Sequence, residues 1–68
     1  MITVNGTPRE APAGGTVAAL VDELDGLPPD GRGVAVAVDG EVVPRGSWGA
    51  SALSDGARVE VVGAVQGG

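Results

Sequence analysis

Sixty-eight residues leave room for one small domain, which buries only about 60% of the surface its unfolded chain exposes. The chain has no His, Cys, Lys, Phe or Tyr, which excludes disulfides, thiolate nucleophiles, Cys-bound metals, Schiff bases and the usual general base near neutral pH. Its net charge is −5 and its four Arg are scattered, a pattern that argues against nucleic acid and suits a basic protein partner.

Ile2 and Val4 alternate with Thr3 and Asn5 in a short strand. Asn5-Gly6 is a strong hairpin signal, because a type I′ turn requires positive φ at both central positions. The return strand runs from Thr7 to about Ala11, and Pro8 makes it an edge strand. Pro12 to Gly15 is a turn cluster. Thr16 then caps a helix whose apolar stripe is Val17, Leu20, Val21 and Leu24. Gly26 is the expected stop, with Pro28-Pro29 beyond it. Asp22, Glu23 and Asp25 crowd the end of this helix, either as a solvated face or as a docking patch for a basic partner.

Val34 to Val38 alternates Val and Ala, a strand with two distinct faces. Asp39-Gly40 forms a second hairpin turn, Glu41 to Val43 returns, and Pro44 ends the strand. Residues 45–54 form a connector with a short helical turn expected around Ala50 to Leu53. Asp55-Gly56 is a third turn, Arg58 to Val65 is the last strand, and Gln66-Gly67-Gly68 remains as a tail. The order ββαββ, a short element, then β is that of a β-grasp. The fold class is therefore α+β, a ubiquitin-like β-grasp with a mixed sheet of four to five strands and one main helix on one face. The expected division is a single domain over 1–65 and a flexible tail over 66–68.

The residues that carry chemistry are few. Ser47, Ser51 and Ser54 have no base to activate them. Neither Gly14-Gly15 nor Gly31-Arg32-Gly33 is a phosphate loop, and no calcium-loop or zinc spacing occurs. Trp48, the sole aromatic, is either a plug over one end of the core or an exposed anchor for a partner. No apolar run approaches the roughly 20 residues of a membrane span, and no signal peptide opens the chain, so the expected location is the cytoplasm.

The ending is the distinctive feature. Gln66 to Gly68 extends about 10 Å at about 3.5 Å per residue, and two residues without Cβ pass a channel that side chains would block. The terminal carboxylate is inert until activated, and adenylation with ATP by a partner makes it an acyl donor.

The whole chain resembles the small sulfur carrier proteins of thiamine biosynthesis, the ThiS family. The resemblance lies in Ile2 to Gly6, Thr16-Val17, Val34 to Val38, Val42-Val43-Pro44-Arg45 followed by Trp48, Leu53 to Gly56, and Ala64 to Gly68. The Ala- and Gly-rich stretch 46–52 departs from the family. The resemblance implies that a ThiF-type adenylating enzyme activates the Gly68 carboxylate. A sulfur donor protein, typically carrying a persulfide, converts it to a thiocarboxylate, and thiazole synthase (ThiG) receives the sulfur. Gly68 is then the modified residue, and Gly67 with Gln66 threads the partner's channel. The chain itself is a cosubstrate rather than an enzyme, binds no cofactor, and is expected to be a monomer alone.

The strand pattern adds a docking hypothesis. If Val34, Val36, Val38, Val59 and Val61 face the helix, then Ala35, Ala37, Val62 and Ala64 lie on the open face. They form either a flat apolar docking patch beside the tail or an ordinary solvent-facing sheet. Three further readings of the chain remain open: the small sulfur-carrier subunit of molybdopterin synthase, a ubiquitin-like modifier of target lysines, and a passive interaction module with an incidental tail.

Overall fold

The computed structural model describes residues 1–24 and 33–63. In chain order the elements are β1 (Ile2–Val4), β2 (Thr7–Arg9), the helix α1 (Val17–Glu23), β3 (Val34–Val38), β4 (Glu41–Val43), a 3-10 helix (Arg45–Ala50) and β5 (Arg58–Gly63). The strands form one mixed sheet in the order β2-β1-β5-β3-β4. β1 pairs β5 in parallel, and the other pairings are antiparallel. This is the expected ubiquitin-like β-grasp, with the Pro8-bearing strand at an edge.

The two hairpins form where the turn chemistry demands. Asn5 and Gly6 have φ of +52° and +84°, and Asp39 and Gly40 have +51° and +87°. These are the paired positive φ values of type I′ turns, whose twist matches that of the flanking strands. The third turn is held by the Ala57 N–H donating to the Ser54 carbonyl at 3.0 Å, with Gly56 at φ +86°.

The core lies between one sheet face and α1. Ile2, Val4, Val36, Val59 and Val61 come from the sheet, and Val17 and Leu20 from the helix. Trp48 and Ala57 complete the buried set, with Val21, Leu24, Val34, Val38 and Leu53 packed around it. The period-two alternation places Thr3, Ala35, Ala37, Arg58, Glu60 and Val62 on the opposite face.

α1 begins at Thr16, whose Oγ1 accepts from the Ala19 N–H at 3.2 Å. It ends at Glu23, earlier than the stop expected at Gly26, which lies with Pro28-Pro29 outside the described residues. Leu24 is already extended (φ −85°, ψ 135°). Two physical reasons agree: carboxylates are disfavoured at a helix C-terminus, and the extended Leu24 still packs its side chain on the core. Glu23 instead meets Arg9, with Nη2 to Oε1 at 3.4 Å.

The short helical turn is not at Ala50 to Leu53. It spans Arg45–Ala50, and the chain around Ala52 bridges Thr16 in an antiparallel, extended arrangement. The Val17 N–H donates to the Ser51 carbonyl at 2.9 Å, and the Leu53 N–H to the Gly15 carbonyl at 2.7 Å. These bonds need extended backbone, so the helical turn moves ahead of them. The return strand β2 also stops at Arg9 rather than near Ala11.

Candidate functional site

β5 is the central strand and carries the chain toward its Gly-Gly ending. Its last described residue, Gly63, stands opposite Val34 of β3. Ala64, Gln66, Gly67 and Gly68 lie outside the described residues, as does the expected continuation of the strand through Val65.

The described members of the apolar patch do come together. Ala35 pairs with Val62, and Ala37 pairs with Glu60 on one side and Val42 on the other. Directly paired residues point to the same face, so these five side chains share the open surface. Val62 is 64% exposed and Val42 is 75% exposed, the largest exposures among the described apolar side chains of this face. Ala35 is exposed and Ala37 half-buried.

Val42 was missed at the level of the sequence. The signal was present: Val43 turns inward toward the core, so the preceding residue must turn outward. Glu60 was missed too, and it places one carboxylate beside Ala37 on this face.

Trp48 resolves as the plug. It is buried, and its indole N–H donates to the Val43 carbonyl at 2.9 Å. The 3-10 turn swings this ring under the edge of the sheet, so it is not an exposed anchor.

Asn5 does more than open a turn. Its Oδ1 accepts from the Val61 N–H at 2.9 Å, and its Nδ2 donates to the Val61 carbonyl at 3.0 Å. The sequence pattern showed only the φ requirement at this position.

The Ser51 hydroxyl donates to the Ser47 carbonyl at 2.8 Å, and among the described residues no group of three or more Asp or Glu is placed to hold a metal ion. Asp22 and Glu23 are exposed on the helix, as either a solvated face or a docking patch requires, and Asp25 lies outside the described residues. No helix among the described residues is long and apolar enough to cross a membrane. The arrangement presents an exposed face with several apolar side chains beside the strand that leads toward the Gly-Gly ending.

Comparison with known proteins agrees with that geometry. The ThiS family model matches residues 2–68. The crystal structure of a thiamine biosynthesis protein (ThiS) from Geobacter metallireducens superposes with a TM-score of 0.74 at 30% identity, covering 91% of this chain and 90% of that one. A protein named thiazole synthase from Paramagnetospirillum magneticum is 40% identical over 67 residues, 98% of this chain. The chain spans 20% of that relative's length.

Proposed function

This chain belongs to the ThiS family, and we propose that it is a sulfur carrier of thiamine biosynthesis, loaded at the carboxylate of Gly68. The observation that carries the reading is the family match along nearly the whole chain, including Gly67-Gly68, on a β-grasp whose central strand leads into that ending.

The chain acts as a cosubstrate. A ThiF-type adenylating enzyme joins the Gly68 carboxylate to the α-phosphate of ATP and releases pyrophosphate. A sulfur nucleophile then attacks the acyl carbon, so that a C–S bond forms and AMP leaves. Where the donor is a persulfide, the resulting acyl disulfide is cleaved by a thiol. That thiol is oxidised as the thiocarboxylate is released. ATP is thus consumed by the partner and is not a resident cofactor here. The cytoplasm, which holds ATP, is the proposed location of the reaction.

The acceptor is thiazole synthase. One fifth of a protein bearing that name is similar to this chain, which supports a carrier and an acceptor that work in succession. The open face built from Ala35, Ala37, Val42 and Val62 is the docking surface. Gln66 and Gly67 thread the narrow channel that leads to the partner's nucleotide.

Deleting Gly67 and Gly68 tests this reading. The expected result is loss of ATP–pyrophosphate exchange by the adenylating enzyme, with binding to that enzyme retained through the sheet face. Unchanged exchange would contradict it. Higher-mass conjugates on a denaturing gel would point instead to a protein modifier.

A further inference from the structure

β5 is pinned at two points by the residues that open the two type I′ turns. At its start, the Arg58 N–H donates to Asp39 Oδ1 at 2.9 Å, while the Asp39 N–H donates to the Arg58 carbonyl at 2.8 Å. At Val61 the same task falls to Asn5. The Thr3 N–H donates to the Ala57 carbonyl at 3.0 Å, and the Asn5 N–H to the Val59 carbonyl at 2.9 Å. The next groups of β5 that face β1 are the N–H and carbonyl of Val61. No β1 backbone remains to meet them, because the chain turns at Asn5-Gly6 into β2.

The Asn5 carboxamide takes over. It presents one acceptor and one donor, as a peptide unit does, and bonds both groups of Val61. This adds one rung to the parallel ladder beyond the end of β1. The residue types at the two turns follow from this. The Arg58 carbonyl already has the Asp39 backbone N–H, so a carboxylate acceptor suffices there. Val61 needs a donor as well, and a carboxylate at position 5 would set an acceptor against its carbonyl.

We propose that Asn5 is a positioning residue for the tail. By clamping Val61 on the β1 side, it joins β3, which pairs the strand as far as Gly63, in holding the last described stretch of β5. A partner docked on the open face then receives the tail from a strand held on both edges, which raises the fraction of complexes ready to react. This inference rests on the sulfur-carrier reading.

The test compares Asn5→Gly with Asp39→Gly, since glycine tolerates the positive φ at both positions. Three quantities are measured on folded protein: amide exchange, affinity for the ThiF-type enzyme, and pyrophosphate release at saturating enzyme. In Asn5→Gly the Val61 amide exchanges about tenfold faster relative to those of Thr3 and Leu20. Pyrophosphate release falls about threefold or more, and affinity is unchanged. In Asp39→Gly the Arg58 amide loosens while pyrophosphate release stays at the wild-type rate. Asn5→Asp keeps the turn and the acceptor, removes the donor, and shows the Asn5→Gly pattern at smaller size.

Unchanged Val61 exchange in Asn5→Gly overturns the clamp. Wild-type turnover in Asn5→Gly, or an equal slowing in Asp39→Gly, overturns the positioning role. If the wild-type chain itself supports no pyrophosphate release with an adenylating enzyme active on another carrier, the carrier reading falls and the positioning role with it. Val61 exchange still decides the clamp in that case.

Discussion

Two side chains do work that their residue types alone did not reveal. Asn5 was legible as a turn former, because Asn-Gly between apolar alternations has one dominant meaning. Its grip on Val61 was not legible, since it depends on a strand 56 residues away in the chain. Trp48 was legible as either a core plug or an exposed anchor, and its burial and its bond to Val43 depend on where the 3-10 turn falls. Trp48→Phe keeps most of the ring and removes that bond, and is expected to cost about 1 kcal/mol. Trp48→Ala is expected to cost about 3–5 kcal/mol, comparable to the whole stability of so small a domain. Urea unfolding followed by far-ultraviolet circular dichroism measures both, and wild-type stability in Trp48→Phe would show that the indole N–H is irrelevant.

Asp55 illustrates a titration at the same scale. Its carboxyl is held below the ordinary 3.8 by the hydrogen bond from the N-terminal amine and by the charge of that amine. A depressed carboxyl pKa stabilises the fold above the unfolded value, and that stabilisation is lost as pH falls through the folded value. The Asp55 side chain is 90% exposed, so the effect is screened and small. At neutral pH and low salt, Asp55→Asn should unfold slightly more easily than wild type. The gap should close in acid below the folded value, and also at high salt. A gap that persists in acid would assign it to something other than this ion pair.

At the scale of elements, the helix start was readable and the helix end was not. Thr16 caps α1 because its hydroxyl reaches the Ala19 N–H, the local geometry that Ser, Thr, Asp and Asn share at this position. Thr16→Ala is expected to cost about 1 kcal/mol and Thr16→Ser to recover most of it, as read from thermal unfolding. The end at Glu23 reflects both the carboxylates at the helix C-terminus and the packing of the extended Leu24, and that packing is a tertiary fact. The misplaced 3-10 turn has the same origin. Ala50 to Leu53 has no strong preference of its own, and the bridge to Thr16 decides its conformation. On the open face the alternation fixed which side Ala35, Ala37 and Val62 occupy, whereas the register that sets Val42 beside Ala37 emerged only with the sheet. Val62→Arg should leave stability within about 0.5 kcal/mol of wild type, since the side chain is 64% exposed. Its affinity for the adenylating enzyme should fall, and unchanged affinity would remove this face from the interface.

At the scale of the whole molecule, the strand order was readable because few topologies place an apolar first strand beside an apolar last one with a single helix across them. The same topology makes β5 the centre of the fold and the strand that leads toward the Gly-Gly ending. On the proposed carrier reading, partners hold the catalytic groups and this chain supplies shape and a carboxylate. The most direct measurement is the intact mass after incubation with ATP, a ThiF-type enzyme and a sulfur source. A gain equal to one oxygen replaced by sulfur, lost when Gly68 is deleted, is the result that a sulfur carrier requires. An unchanged mass, with the same enzyme active on another carrier, would contradict the assignment.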